Sequence, residues 1–200
     1  MLNKESLLQF MQGKTYRPLS FKELTHQMLI PKKDRDIFKK LLRDLVKEGH
    51  IIKIRGERYG LPAKMNLIVG ELTCHPNGFG FVIPEDGGED IFINPKNMKG
   101  AMHGDKVVAR LEGRSKGDGK REGRIIRIVE RAHRTIVGRF ERGKGFGVVI
   151  PSNKRILQEI IIPPKESSDI EEGKIVEAEI VRWPAEKVAP LGKIIGILGG

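Results

Sequence analysis

The side chains in this chain best equipped for chemistry are aromatic and basic, and they recur in one setting. The stretch NGFGFVIP at residues 77–84 returns as KGFGVVIP at residues 144–151. Each copy places glycine, an aromatic ring and glycine before an apolar run, which reads as a turn feeding a short strand. Successive side chains of a strand face opposite ways, so Phe79 and Phe81 share one face while Gly80 and Val82 take the other. In DIFIN, residues 90–94, Ile91 and Ile93 fall together and Phe92 lies with Asp90 and Asn94. The aliphatic side suits a barrel interior; inverting the strand would bury Asp90 and Asn94. If the two strands pair, Phe79, Phe81 and Phe92 share the outer surface, with His75 beside them. Exposed rings in a cluster favour a cover, and unpaired bases supply one at ~1–3 kcal/mol each with little sequence preference.

The second copy keeps less of this surface. Phe146 matches Phe79, but Val148 replaces Phe81 and Ile161 replaces Phe92, while Lys144 stands where the first copy has Asn77. The first copy is therefore expected to supply most stacking, and the second, through Lys144 and Phe146, to guide a charged backbone.

Bond-breaking chemistry finds no matching constellation. The single cysteine, Cys74, has no designated base, the five histidines lack ligand spacing, and no GxxxxGK[ST] phosphate loop occurs. The acidic stretches EDGGED and SSDIEE are Gly- or Ser-rich and read as solvated loops. No catalytic and no metal-binding residue is expected. A lone cysteine fits a reducing cytoplasm. No apolar run approaches the ~20 residues of a membrane span, and the start MLNKESLLQF lacks the features of a secretory signal. The expected location is cytoplasmic, without a membrane partner.

The net charge of +11 is clustered: residues 1–62 carry 14 Lys and Arg against 7 Asp and Glu, and residues 116–135 carry 7 against 3. Clustered positive charge points to a polyanion. Three units account for the chain. In residues 1–62, SFKEL opens a helix with a capping box at Ser20 and Glu23. A long basic helix follows Pro31, with Ile37, Phe38, Leu41, Leu42, Leu45 and Val46 at the spacing of a buried face and Gly49 as its stop. Lys32, Arg35, Lys39 and Arg43 line another face, and IIKIRGERYGL reads as a hairpin turning at Arg55–Gly56. Helices followed by a hairpin make a winged helix-turn-helix, in which Lys32, Arg35, Lys39, Arg43, Arg55 and Arg58 are candidate phosphate contacts. Residues 65–131 and 135–198 each hold five short apolar runs, and Gly70, Gly80, Pro95 and Gly104 recur in register as Gly138, Gly147, Pro164 and Gly173. The fold class is thus α+β and multi-domain: a winged helix, then two five-stranded barrels of the oligonucleotide-binding type, the second a duplicate of the first. No separate dimerisation helix is evident, and no oligomer is predicted.

NGFGFVIP followed by DIFI resembles the paired RNA-binding motifs of cold-shock domains, and the order of a basic winged helix and two such barrels resembles the N-terminal region of the ribonuclease R group in the ribonuclease II family. The resemblance spans essentially all 200 residues. It implies single-stranded RNA as partner, with His75, Phe79, Phe81 and Phe92 on the RNA face of the first barrel and Lys144 and Phe146 on the second. It implies structured RNA as a further partner of the winged helix. It also implies a 3′-to-5′ hydrolytic nuclease domain with magnesium-binding aspartates, which residues 1–200 do not contain; this stretch needs no cofactor and reads as the front portion of a longer enzyme. Asn94 and Pro95 stand where stand-alone cold-shock proteins carry a His–Phe pair, so a narrower binding face is expected. A non-enzymatic RNA chaperone or winged-helix regulator is the alternative.

Overall fold

A computed structural model describes residues 2–200 and divides near Val69 into two compact units. The first is built on three helices. Helix α1, Lys4–Met11, starts where the Asn3 side chain accepts from the Ser6 amide (2.8 Å) and the Ser6 hydroxyl accepts from the Asn3 amide (3.1 Å). A short strand β1, Leu19–Ser20, leads into α2, Phe21–Gln27. There the Ser20 hydroxyl accepts from the Glu23 amide (3.2 Å) and donates to the Glu23 carboxylate (3.0 Å). Lys32–Asp34 forms one 3-10 turn before α3, Arg35–Glu48, which ends at Gly49 with φ 83°. A left-handed residue at this position closes a helix, and glycine adopts it without a steric penalty.

Leu7, Met11, Leu24, Phe38, Leu42 and Leu45 converge from the three helices into one core, with Ile30 and Ile51 from the connections. Each such side chain contributes roughly 1.5–3 kcal/mol of burial. The buried stripe of α3 is narrower than its apolar pattern predicts. Phe38, Leu42 and Leu45 are sealed, whereas Ile37 is 64% exposed; one residue along a helix turns the side chain by ~100°, enough to carry it off a face centred on Phe38. Strands β2, Ile52–Ile54, and β3, Arg58–Gly60, complete a sheet in the order β1-β3-β2.

The second unit contains the predicted duplication. Strands β4 (Leu67–Cys74), β5 (Gly80–Pro84), β6 (Ile91–Ile93), β7 (Lys106–Arg114) and β8 (Arg121–Glu130) close a barrel in the order β4-β5-β6-β8-β7. Strands β9 (Thr135–Arg142), β10 (Gly147–Pro151), β11 (Ile160–Ile162), β12 (Ile175–Arg182) and β13 (Leu191–Gly199) close a second in the order β10-β11-β13-β12-β9, which is the same connectivity. In both, the third strand pairs in parallel with the fifth and all other pairings are antiparallel.

The repeated landmarks have shared physical causes. A Cβ at Gly70 would sit 2.2 Å from the Ile83 carbonyl oxygen, and one at Gly138 would sit 2.2 Å from that of Ile150. Pro95 opens a one-turn 3-10 helix and Pro164 opens the short helix α4, Pro164–Ser167; proline is suited to that position because its missing donor would be unpaired there. Gly104 and Gly173 both have φ 88°.

The two barrels are in direct contact. The Asp105 carboxylate, 1% exposed, accepts from the Met102 amide (2.9 Å), the Ala132 amide (2.9 Å) and Arg131 (3.0 Å). The Arg131 guanidinium lies 4.7 Å from the centre of the Trp183 ring in the second barrel. Met102 joins the second barrel's core, and Arg155 donates to the Cys74 carbonyl at 3.0 Å.

Candidate nucleic-acid interface

The aromatic cluster forms as the strand period predicts. Val82, Ile91 and Ile93 are completely buried, while Phe79, Phe81 and Phe92 are half-buried with their rings outside the barrel. Phe81 and Phe92 face each other across β5 and β6. Their rings meet edge to face at 5.7 Å; Phe81 meets Phe79 in the same manner at 5.9 Å, and Phe79 lies tilted against Phe92 at 5.6 Å. Such pairs add about 0.5–1.5 kcal/mol beyond burial, so the platform is pre-formed. The His75 ring lies flat on Phe79 at 4.4 Å with 8° between planes. A tight turn sets this stack: the His75 amide donates to the Phe79 carbonyl (2.7 Å), the Asn77 amide donates to His75 Nδ1 (3.1 Å), and Gly78 takes φ 103°.

The rings border an open recess of about 440 Å³ whose other wall comes from the β7–β8 loop and the start of β8: Ser115, Asp118, Lys120 and Glu122. Lys120 Nζ lies 5.7 Å from the centre of the Phe81 ring. The Ser115 hydroxyl, and then the Lys120 amide, hold the Asp118 carboxyl below its ordinary range. Sequence reasoning located the positive charge of this segment but did not assign it to the recess. The parallel pairing that sets Phe92 opposite Glu122 brings strands together across an intervening strand. Only the excess of basic residues beside the loop hinted at it.

The second barrel differs in the way its substitutions predict, and for one further reason. Phe146 is 38% exposed and Lys144 is exposed, while half-buried Val148 and Ile161 occupy the sites opposite one another that the two rings hold in the first barrel. The equivalent turn is closed by the Gly143 amide donating to the Phe146 carbonyl (2.8 Å). Gly143 thus stands where His75 does, and no imidazole lies on Phe146. Inside, Phe140 fills the barrel beneath Gly147, where an added Cβ would come within 2.3 Å of the ring.

In the first unit, Lys32, Arg35, Lys39 and Arg43 are exposed on the 3-10 turn and α3, and none forms an ion pair among the described residues. Arg55 is exposed at the hairpin turn. Arg58 is engaged instead: its guanidinium lies 3.0 Å from the Glu23 carboxylate and donates to the Pro18 carbonyl at 3.2 Å. The Ser20 hydroxyl, together with Arg58, holds the Glu23 carboxyl below its ordinary range. Of the six cations expected to contact phosphate, Arg58 is thus held by intramolecular partners.

Cys74 is buried, and burial, reinforced by the charge of Asp105, pushes its thiol up to about 11. Its amide donates to His103 Nδ1 at 3.1 Å, which assigns the proton of that neutral ring to Nε2. Among the described residues no group of three or more His, Cys, Asp or Glu side chains is arranged to hold a metal ion. Among the described residues no helix is long and apolar enough to cross a membrane.

Comparison with known proteins bears on this geometry. The Ribonuclease B OB domain matches residues 70–128, and the Cold shock domain matches residues 149–200. Ribonuclease R of Acidithiobacillus ferrooxidans is 34% identical over 201 residues, covering 100% of this chain and 45% of the relative. Ribonuclease R of Escherichia coli (strain K12) is 30% identical over 187 residues, covering 93% of this chain and 23% of the relative. The chain thus spans less than half the length of either. Among solved structures, Mycoplasma genitalium RNase R in complex with ribose methylated single-stranded RNA superposes with a TM-score of 0.59 at 19% identity, over 66% of this chain and 22% of that one. Yeast Ssd1, a pseudonuclease, superposes with a TM-score of 0.56 at 16% identity, over 85% and 24%. These structural likenesses show the fold of the matched part.

Proposed function

We propose, for a chain that belongs to the ribonuclease R family and matches its N-terminal region, that it captures single-stranded RNA and passes it to a 3′-to-5′ exoribonuclease domain. The observation that carries this reading is the pre-formed platform of Phe79, Phe81, Phe92 and His75 outside the first barrel. Rings held in fixed orientation lose little freedom when a base lies on them, and every base offers a face to stack, so selection is for unpaired strands rather than for sequence. Lys120 beside Phe81 supplies a cation near the platform. On the second barrel, Lys144 and Phe146 give one stacking surface and one phosphate contact, so the strand is guided there more than gripped. RNA bound to the Mycoplasma relative supports the same partner here.

We read residues 1–62 as a winged helix, 65–131 as the first cold-shock barrel and 135–198 as the second. The winged helix would engage structured RNA through Lys32, Arg35, Lys39 and Arg43, which form no ion pair among the described residues, and through Arg55. The magnesium implied for a nuclease domain has no fitting ligand set among the described residues, so no step of RNA capture runs through it.

Binding of fluorescein-labelled single-stranded RNA, duplex RNA and single-stranded DNA, measured by anisotropy across a salt series, tests the reading. Single-stranded RNA is expected to bind more tightly than the duplex, with affinity falling steeply as salt rises. Duplex bound as tightly as single strand would overturn it.

A further inference from the structure

The strand register carries the outer face of the first barrel beyond the aromatic recess. Phe81, Phe92 and Glu122 form one row across β5, β6 and β8. Side chains two residues along a strand share its face. The next outward row therefore runs Phe79, Asn94, Arg124 and, across β7, Arg110, which is the direct partner of Arg124. Strands lie ~4.8 Å apart, so Arg124 stands ~10 Å from Phe79 and Arg110 one strand further. Arg124 and Arg110 line a polar recess of about 380 Å³ together with Lys96 and Lys99. Like charges directly opposite on neighbouring strands destabilise a sheet, yet two arginines face each other here.

The surrounding carboxylates do not neutralise the group. Glu112 pairs with Arg124, and Glu186 of the second barrel closes one side of the recess. Lys96, Lys99, Arg110 and Arg124 against these two leave a net charge of +2. Arg110 and Lys96 are exposed, and neither side chain forms an ion pair or hydrogen bond among the described residues. Lys99 is held in place, donating to the Ile126 carbonyl at 2.9 Å from a backbone with φ 50°, a conformation uncommon outside glycine.

We infer that this recess is a phosphodiester-binding cradle, and that an RNA strand whose bases lie on Phe79, Phe81 and Phe92 continues across β8 to place its backbone between Arg110, Arg124 and Lys96. The inference rests on the RNA-binding reading above and adds a direction to it. The carboxylate of Glu122, which forms no ion pair among the described residues, repels phosphate at the aromatic row, and the arginine row attracts it. An anion lying between Arg110 and Arg124 removes their mutual repulsion.

The test is the double variant K96Q/R110Q, which alters only exposed, unpaired side chains, beside F81A and the unaltered chain, with an unstructured 12-mer of uridylate and a trimer. Each phosphate contact contributes ~0.7 to the slope of log affinity against log salt. Loss of two makes the slope shallower by ~1.4, equivalent to ~25-fold weaker binding of the 12-mer at 0.1 M salt relative to 1 M. The trimer, too short to leave the platform, should bind the double variant as it binds the unaltered chain. The melting temperature of R110Q should be unchanged or higher, since a repulsion is removed. If F81A weakens the 12-mer while K96Q/R110Q changes neither affinity nor slope, the cradle is refuted and the RNA-binding reading stands. If the unaltered chain binds neither oligomer, both fall.

Discussion

Replacing Phe81 with alanine isolates the stacking contribution. The ring sits between Phe79 and Phe92, edge-on to both at 5.9 and 5.7 Å, and forms one wall of the recess. Its removal takes away the surface of about one base, ~1–3 kcal/mol, which corresponds to ~5- to 150-fold weaker binding of single-stranded RNA. The fold should tolerate the change. Truncating a fully buried Phe costs about 3–5 kcal/mol, but Phe81 is half-buried, and Val82, Ile91 and Ile93 fill the interior without it. Val148, at the matching position of the second barrel, is the control, because V148A removes methyl groups and no ring. Anisotropy titrations should show a large loss for F81A, little change for V148A, and the same salt slope for both, since neither removes a phosphate contact. Equal losses for the two variants, or an F81A defect that vanishes at high salt, would refute the reasoning.

Three further outcomes follow from groups outside the platform. Asp105→Asn leaves Arg131 without its buried partner and turns an amide toward the donors of Met102 and Ala132; we expect a loss of ~3–5 kcal/mol, read in urea unfolding by the emission of Trp183, the chain's single tryptophan, against which Arg131 packs. His103 titrates below its ordinary value, first because it is partly buried and then because Arg155 is near. The unfolded chain takes up that proton near pH 6.5 while the folded chain resists it. Stability is therefore full above that pH and declines as pH falls below it, and H103Q should flatten this decline in unfolding curves from pH 7.5 to 5. Cys74, with its thiol pushed up to about 11, carries on the order of 100-fold less thiolate at pH 8 than an unburied thiol; labelling by a thiol reagent should be slow in the folded protein and rapid in urea.

The predicted strand segments and the observed strands coincide closely because each is short, apolar on alternate positions and bounded by Gly, Pro or Asn. The duplication was legible for a similar reason: Gly70 and Gly138 answer the same close approach of a neighbouring carbonyl, and Gly104 and Gly173 the same left-handed backbone. The outward placement of Phe79, Phe81 and Phe92 follows from the strand period alone. Along α3 the same kind of reasoning overreached at Ile37. An apolar pattern gives the centre of a buried stripe, whereas its width depends on what packs against it. Arg58 was legible as a hairpin cation, but its pairing with Glu23 joins positions 35 residues apart and depends on β1 lying beside β3.

What the amino-acid sequence determined by itself was local: which residues turn, which alternate, which caps close helices, and that positive charge gathers in residues 1–62 and 116–135. Tertiary structure alone decided which distant side chains meet. It set Asp118, Lys120 and Glu122 against the phenyl rings, fastened the barrels through Asp105, Arg131 and Trp183, and placed Arg110 opposite Arg124. The physical reason is that alternation and capping act between neighbours in the chain. Pairing between strands is instead selected by closing the whole barrel, a condition that no single segment carries.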